Sequence, residues 1–414
     1  MHTPTADDVR DAARRLSDIA SHTPLDASVR LSARTGARVY LKREDLQPVR
    51  SYKIRGAYNL ISQLDGEQRA RGVVCASAGN HAQGVALACA QLGVDARIHL
   101  PRTTPRQKRD RVLALGLGRV ELVVAGETYD DAAAEVYAEA ERTGATVVPA
   151  FDDPRTIAGQ GTMVLEIIEQ LGTAPDVLVV PLGGGGLLAG SIIVLQQAYP
   201  HTRIVGVEPE GAASMIAALD AGEPVALAEI DGFADGTAVR RVGSHTFPIV
   251  RDSGCEVRTI AEGAICIEML ALYQSEGIIA EPSGAIASAA VLELDLEPGS
   301  TVVAILSGGN NDVSRYAEVV ERALVHEGRK HYFLVEFPQE PGALRRFLDD
   351  VLGQDDDIAL FEYVKRSSRE YGPALVGVEL GSVDDLQPLL DRMNASPLVI
   401  ERVPNDSPMF RFLL

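Results

Sequence analysis

Apolar and polar residues along the 414-residue chain fall into short runs of two alternating periods. Thr5 caps a helical pattern over 6–20 that is acidic in its first turn. From Lys53 onward, Ile54, Ala57, Tyr58, Leu60, Ile61 and Leu64 lie on one side of a helical wheel. The opposite side carries Arg55, Asn59, Ser62 and Gln63. Pro48 precedes this helix, and Ser51 is placed to cap its first turn. Short apolar runs at 39–42, 73–76, 96–100, 120–124, 145–149, 177–181, 203–207 and 301–306 read as buried strands. Helical patterns at 82–92, 105–115, 129–143, 157–171, 187–198, 212–221, 262–276, 285–294 and 316–326 separate or follow them. Strand, small polar turn and helix in repetition predict open parallel sheets with right-handed crossovers.

Past 330 the rhythm changes. Strands at 332–337, 358–365, 374–380 and 398–403 and helices at 342–352 and 383–393 give the order β-α-β-β-α-β. That is a ferredoxin-like unit, so a separate domain is expected over 331–414, after one over 1–325.

Lys53 lies inside the apolar arc of its helix. Burial disfavours the charged form of a lysine, and a neutral amine is a nucleophile and a base. A Schiff-base lysine would sit this way. So would a lysine whose stem lies along the core while its head reaches water. Further along, Gly183-Gly184-Gly185-Gly186 joins an apolar strand to a helix. Bare backbone there can turn its N–H groups toward a phosphate at the helix N-terminus. The loop lacks the Lys and Ser/Thr of a nucleotide P-loop. It does contain Gly184-x-Gly186-x-x-Ala189, and Glu208 ends the next strand, the pattern of an NAD-dependent oxidoreductase. Ser77-Ala78-Gly79-Asn80-His81 and Ser307-Gly308-Gly309-Asn310 stand at the carboxyl ends of predicted parallel strands, the edge where ligands bind. A buried lysine, a phosphate cradle and two such turns together suggest pyridoxal 5'-phosphate.

Composition narrows the partners. The chain is 46% hydrophobic, enough for a real core, and its formal net charge is -19. So acidic a surface is repelled by nucleic acid and anionic membranes, which points to a small ligand. No apolar run spans a bilayer, and residues 1–15 lack the apolar stretch of a signal peptide. Cys75, Cys89, Cys255 and Cys266 form no Cys-x-x-Cys pair and read as reduced thiols of a cytoplasmic protein. No Cys or His pair has zinc spacing, so no metal is expected.

Six motifs occur in one order: Ser51 to Ala57, Ser77 to Gly84, Ile157 to Thr162, Gly183 to Leu187, Glu281 to Ala285 and Ser307 to Asn310. The set resembles the fold-type II pyridoxal-phosphate family, in its threonine/serine dehydratase branch. The tail, with Phe337-Pro338-Gln339-Glu340-Pro341-Gly342-Ala343-Leu344, resembles the ACT-like regulatory domain of biosynthetic threonine dehydratases. The resemblance implies two open parallel-sheet lobes like those of the tryptophan synthase β chain. The smaller, about 50–145, is inserted in the larger, and an ACT-like domain follows.

The resemblance also implies roles. Lys53 is the Schiff-base lysine and later the base. Gly183, Gly184, Gly185, Gly186 and Leu187 bind the cofactor phosphate through backbone N–H. Asn80 meets the ring hydroxyl, Ser307 the pyridine nitrogen, and Tyr52, where the family usually has Phe, the ring face. Ser77, Ala78, Gly79, Asn80 and His81 hold the substrate carboxylate. The implied reaction takes L-threonine through 2-aminocrotonate to 2-oxobutyrate and ammonia, and L-serine to pyruvate. Ser307 is neutral, so the ring is a weaker electron sink, which favours elimination over transamination. Related serine racemases carry a second serine where this chain has Ala78, which argues against racemisation. Isoleucine is the implied inhibitor and valine a counter-effector, in a dimer or tetramer. Three other readings stand beside this one: a catabolic or unregulated dehydratase, an NAD-dependent oxidoreductase, and a non-catalytic amino-acid sensor.

Overall fold

The apolar runs become strands in a computed structural model that describes residues 3–363 and 370–404, with 407, 409, 410 and 413. Two units separate, Met1–Asp312 and Val313–Leu414. In chain order the first holds β1 (Leu25–Ala27), β2 (Arg38–Arg43), β3 (Val73–Ala76), β4 (Ala96–Leu100) and β5 (Val120–Val124). It continues with β6 (Thr146–Val147), β7 (Val177–Pro181), β8 (Arg203–Pro209), β9 (Glu256–Ile260) and β10 (Thr301–Leu306). One sheet has the order β1-β2-β10-β7-β8-β9 and the other β5-β4-β3-β6. Every pairing is parallel except β1 with β2. β7 is buried along its whole length, as expected for a strand covered on both faces. The non-consecutive strand orders place the ends of β3, β7 and β10, with their three polar turns, at carboxyl edges of sheets, as the sequence predicts.

Several elements escaped the periodicity. β1 has three residues, and β9 is only partly buried, so neither shows an apolar run. The helix Pro154–Leu171 starts earlier than expected and runs unbroken through Gly159-Gln160-Gly161. Those glycines serve packing. A Cβ on Gly159 would lie 2.5 Å from Arg55 O and 2.7 Å from Gly56 Cα, so two helices meet backbone to backbone here.

The helix Lys53–Ser62 differs most from its wheel. Half of its expected polar side is inside: Arg55 and Asn59 are 1% exposed, while Ser62 is half-buried and Gln63 exposed. Asn59 donates to Arg155 O at 2.7 Å and accepts from Arg15 at 3.1 Å. Arg55 is enclosed by carboxylates. Nor does Ser51 cap the helix. Its Oγ has no hydrogen-bond partner among the described residues, and the N-cap position falls to Tyr52 without a side-chain hydrogen bond.

The second unit begins with the helix Tyr316–His326, earlier than the change of rhythm near 330. Glu321 of that helix accepts from Lys330 Nζ and from the Tyr332 hydroxyl, which ties it to the first strand of the following sheet. That sheet comprises β11 (Lys330–Pro338), β12 (Asp357–Tyr363), β13 (Tyr371–Glu379) and β14 (Val399–Arg402) in the order β12-β13-β11-β14. All its pairings are antiparallel, the ferredoxin-like arrangement. Positions 364 and 365 of the strand expected over 358–365 lie outside the described residues. Phe333, Val335 and Phe337 pack with Phe347, Val376, Val378 and Leu389 in the core of this unit.

Candidate active site

Two segments more than 250 residues apart are joined at the edge of the six-stranded sheet. Arg50 takes a left-handed conformation, φ 56°, and turns the chain back after Pro48. Its carbonyl accepts from Gly309 N at 2.9 Å, and Tyr52 N donates to Ser307 O at 3.2 Å. Ser51 and Gly308 form an isolated bridge. The turn after β10 thus sets the position of the first residue of the next helix, Lys53.

Lys53 is 8% exposed. Its Nζ donates to Ala150 O at 3.2 Å and stands 5.2 Å from the centre of the Tyr52 ring. Among the described residues no carboxylate pairs with it. Ala150 lies on the loop that follows β6, and so does Phe151, which packs against Gly184 and Gly186 of the four glycines.

The glycines lead from β7 into the helix Gly186–Ala198, whose N-terminus no side chain caps. A Cβ on Gly183 would sit 2.7 Å from Thr237 O, and one on Gly184 would run into the Phe151 ring. One on Gly186 would lie 2.9 Å from Phe151 Cβ. Gly185, at φ 92°, holds a conformation that other residues rarely adopt. Thr246 donates to Gly184 O at 2.7 Å and pins the loop from behind. The carboxylate of Asp152 accepts from Ser244 N at 2.9 Å and His245 N at 2.7 Å, drawing that backing segment in. Bare backbone N–H at an uncapped helix N-terminus is an anion site.

Asn80 begins the helix after β3. Its Nδ2 donates to Glu281 Oε1 at 2.5 Å, and its Oδ1 accepts from Asn310 at 2.7 Å. Glu281 is 5% exposed. Burial first, then the Asp235 carboxylate, pushes its pKa up to about 7. Ser307 is buried and donates to Ser283 O at 3.1 Å. Ser77 Oγ accepts from Gly79 N and Ala82 N, both at 3.2 Å, and shapes the turn. A Cβ on Gly79 would meet nothing within 4 Å, so open space adjoins that backbone. The His81 ring is buried on the backbone after β6. It is 3% exposed and its Nε2 donates to Val148 O at 2.8 Å. Burial, then the Lys53 charge, lowers its pKa to about 4, so it is neutral near pH 7. Any hold of His81 on a carboxylate in the turn is through its backbone.

A family model for pyridoxal-phosphate dependent enzymes matches residues 16–308, and one for the C-terminal regulatory domain of threonine dehydratase matches 321–413. The biosynthetic L-threonine dehydratase IlvA of Mycobacterium tuberculosis is 59% identical over 409 residues, covering 98% of this chain and 95% of that one. The chain belongs to the pyridoxal-phosphate-dependent enzymes, within their threonine dehydratase family. Its cofactor is pyridoxal 5'-phosphate. Among solved structures, the processed threonine deaminase isoform 2 of Solanum lycopersicum matches at TM-score 0.72 and 41% identity, over 78% of this chain and 95% of that one. Maize serine racemase matches at TM-score 0.72 and 33% identity, over 78% and 99%.

The residues present fit that cofactor. A glycine cradle that side chains would fill, at an uncapped helix N-terminus, suits its phosphate, and a buried amine with one carbonyl partner suits its aldehyde. The NAD-dependent reading fails on the family and also on Glu208. That carboxylate is fully buried and is spent on Met215 N and Ile216 N, at 2.7 and 3.0 Å, so no ribose reaches it. Glu281, Phe151, Thr246 and Asn310 carry much of the site, yet no spacing rule marks them. Glu281 and Asn310 were visible only as members of quoted motifs.

Proposed function

We propose that this chain is a threonine ammonia-lyase that converts L-threonine to 2-oxobutyrate and ammonia, and L-serine to pyruvate. The observation that carries the reading is Lys53, buried on the Ala150 carbonyl and tied through its neighbour Tyr52 to the Ser307 turn. When bound, the cofactor supplies a conjugated ring that acidifies the α-hydrogen of an attached amino acid. Lys53 Nζ takes that hydrogen as the general base. Gly183 to Leu187 would hold the phosphate through backbone N–H, Asn80 would donate to the ring hydroxyl, and Ser307 would serve the ring nitrogen. Tyr52 would pack on the ring, and the turn from Ser77 to His81 would orient the substrate carboxylate. Loss of the α-hydrogen to Lys53 and of the β-hydroxyl, which leaves as water, would give 2-aminocrotonate; its imine tautomer takes up water in solution to give 2-oxobutyrate and ammonia. Neutral Ser307 and Ala78, which offers no proton from a second face, support elimination over racemisation.

The Val313–Leu414 unit binds the end-product amino acid isoleucine, which inhibits, with valine opposing it. A helix N-terminus after Pro341-Gly342 offers free N–H groups to an effector carboxylate. The enzyme works in the cytoplasm as a dimer or tetramer. The test is 2-oxo-acid release from threonine and serine, with and without isoleucine, on the full chain. Release from threonine that isoleucine depresses is expected. Release that isoleucine leaves untouched moves the assignment to an unregulated dehydratase. L-Serine racemisation as fast as pyruvate release overturns the elimination reading.

A further inference from the structure

We propose that Asn310 is a positioning residue. Its amide fixes which way round the Asn80 amide sits and leaves one Asn80 N–H to donate into the cofactor site. The proposal rests on the reading above that Asn80 meets the cofactor's ring hydroxyl.

The geometry is a chain of forced choices. Asn310 Nδ2 donates to Val49 O at 2.8 Å and to Asn80 Oδ1 at 2.7 Å, so both of its hydrogens are used. A backbone carbonyl can only accept. Turning the Asn310 amide over would put its Oδ1 against Val49 O, two acceptors face to face. Val49 therefore fixes Asn310 as a donor, and a donor there requires the Asn80 oxygen. Asn80 Nδ2 is thus turned the other way, where Glu281 Oε1 accepts one hydrogen at 2.5 Å. Its second hydrogen has no acceptor among the described residues.

Glu281 cannot hold this orientation alone. Ionised, it only accepts, and it agrees with Asn310. Protonated, it can donate, and then a flipped Asn80 would suit it equally well. Burial and the Asp235 carboxylate raise its pKa to about 7, against the Asn80 hydrogen bond, Lys108 and Lys53. Lys108 of the helix Arg106–Gly116 is itself paired with Asp235 at 2.7 Å. Asn310 carries no titratable proton, so it holds Asn80 on both sides of that titration.

The test compares wild-type holoenzyme with Asn310→Leu, Asn310→Ala and Asn80→Ala. It reads the visible absorption spectrum of the bound cofactor from pH 6 to 9 and the cofactor dissociation constant. The wild-type spectrum is expected to hold steady. Asn310→Leu gains a spectral transition with its midpoint near Glu281's pKa, and its cofactor dissociation constant rises about tenfold. Adding Glu281→Gln removes the transition. Asn310→Ala serves where the leucine variant does not fold. Wild-type spectra and affinity in both Asn310 variants, beside a changed Asn80→Ala, overturn the proposal. Wild-type behaviour in Asn80→Ala overturns the underlying reading of Asn80 and the proposal with it.

Discussion

The helix Lys53–Ser62 buries two cations two residues apart, and their surroundings differ completely. Arg55 lies between two carboxylates. It meets Glu44 at 2.8 Å through Nε and Nη2, and Glu166 at 2.6 and 2.9 Å through Nη1 and Nη2. Lys42 adds a second cation, 2.6 Å from Glu166, and Thr23 a hydroxyl, 2.6 Å from Glu44. Two cations and two carboxylates balance. Burial opposes the Arg55 charge, yet Glu44 and Glu166 outweigh it and raise its pKa, while Arg55 holds Glu44 below its usual value. Among the described residues, the one hydrogen-bond acceptor that Lys53 meets is a carbonyl. A buried charge with every partner in place holds a structure together. A buried amine with one neutral partner is left free to react. Burial alone does not separate structural from chemical lysines and arginines. The count of partners does.

That contrast can be broken at several points. The largest effect is expected from Lys53→Ala. Activity should fall about 10³-fold or more, the size of a lost general base, and borohydride should no longer trap cofactor on the protein. The unfolding midpoint of the cofactor-free variant should stay close to wild type. A Lys53→Ala protein that unfolds early would put this lysine in the same class as Arg55.

Next is Arg55→Met, which strands Glu44 and Glu166. Losing one partner of a buried network costs about 3–5 kcal/mol, readable by urea unfolding. A loss under about 1 kcal/mol, where exposed pairs lie, would mean that the cluster is not a structural anchor.

The Lys53 pocket should also give opposing pH slopes in the cofactor-free chain. His81 has a pKa of about 4 when folded, below its ordinary 6.5. The unfolded chain binds the extra proton in that window, so His81 makes stability fall as pH drops from 6.5 to 4. Glu281 has a folded pKa of about 7, above 4.5, so the folded chain binds the extra proton. It makes stability fall as pH rises from 4.5 to 7. Each is worth at most about 3 kcal/mol. His81→Asn should remove the first slope and Glu281→Gln the second, in unfolding free energies measured across pH 4–8. Parallel profiles in both variants would sink the assignment.

The smallest effect is Gly184→Ala, where a methyl meets the Phe151 ring. Overpacking of about 1–3 kcal/mol should weaken cofactor binding about tenfold or more in an equilibrium titration. Unchanged affinity would leave the cradle without a demonstrated role.

Much of this was legible along the chain. Strands and helices announced themselves by period, and polar turns after apolar strands marked the carboxyl edges of the sheets. The wheel of the Lys53 helix placed that lysine on a buried face, because the apolar arc really is buried. It misjudged Arg55 and Asn59, because a helix packed on several sides has no polar face. Ser51 looked like a cap because serine before a helix usually is one. Its backbone is instead bridged to Gly308, a partner no local rule reaches.

By itself, then, the sequence determined the order of most elements, the two domain types, a run of four glycines between a strand and a helix, and a lysine on a buried helix face. Each depends on neighbours in the chain or on a residue type that tolerates few settings. Only the tertiary structure decided which buried charges are paired and which way an amide faces. Arg55 and Glu166 are 111 residues apart, and Asn310 and Asn80 are 230 apart. A hydrogen bond needs its two atoms within about 3 Å, and folding alone brings such distant groups that close.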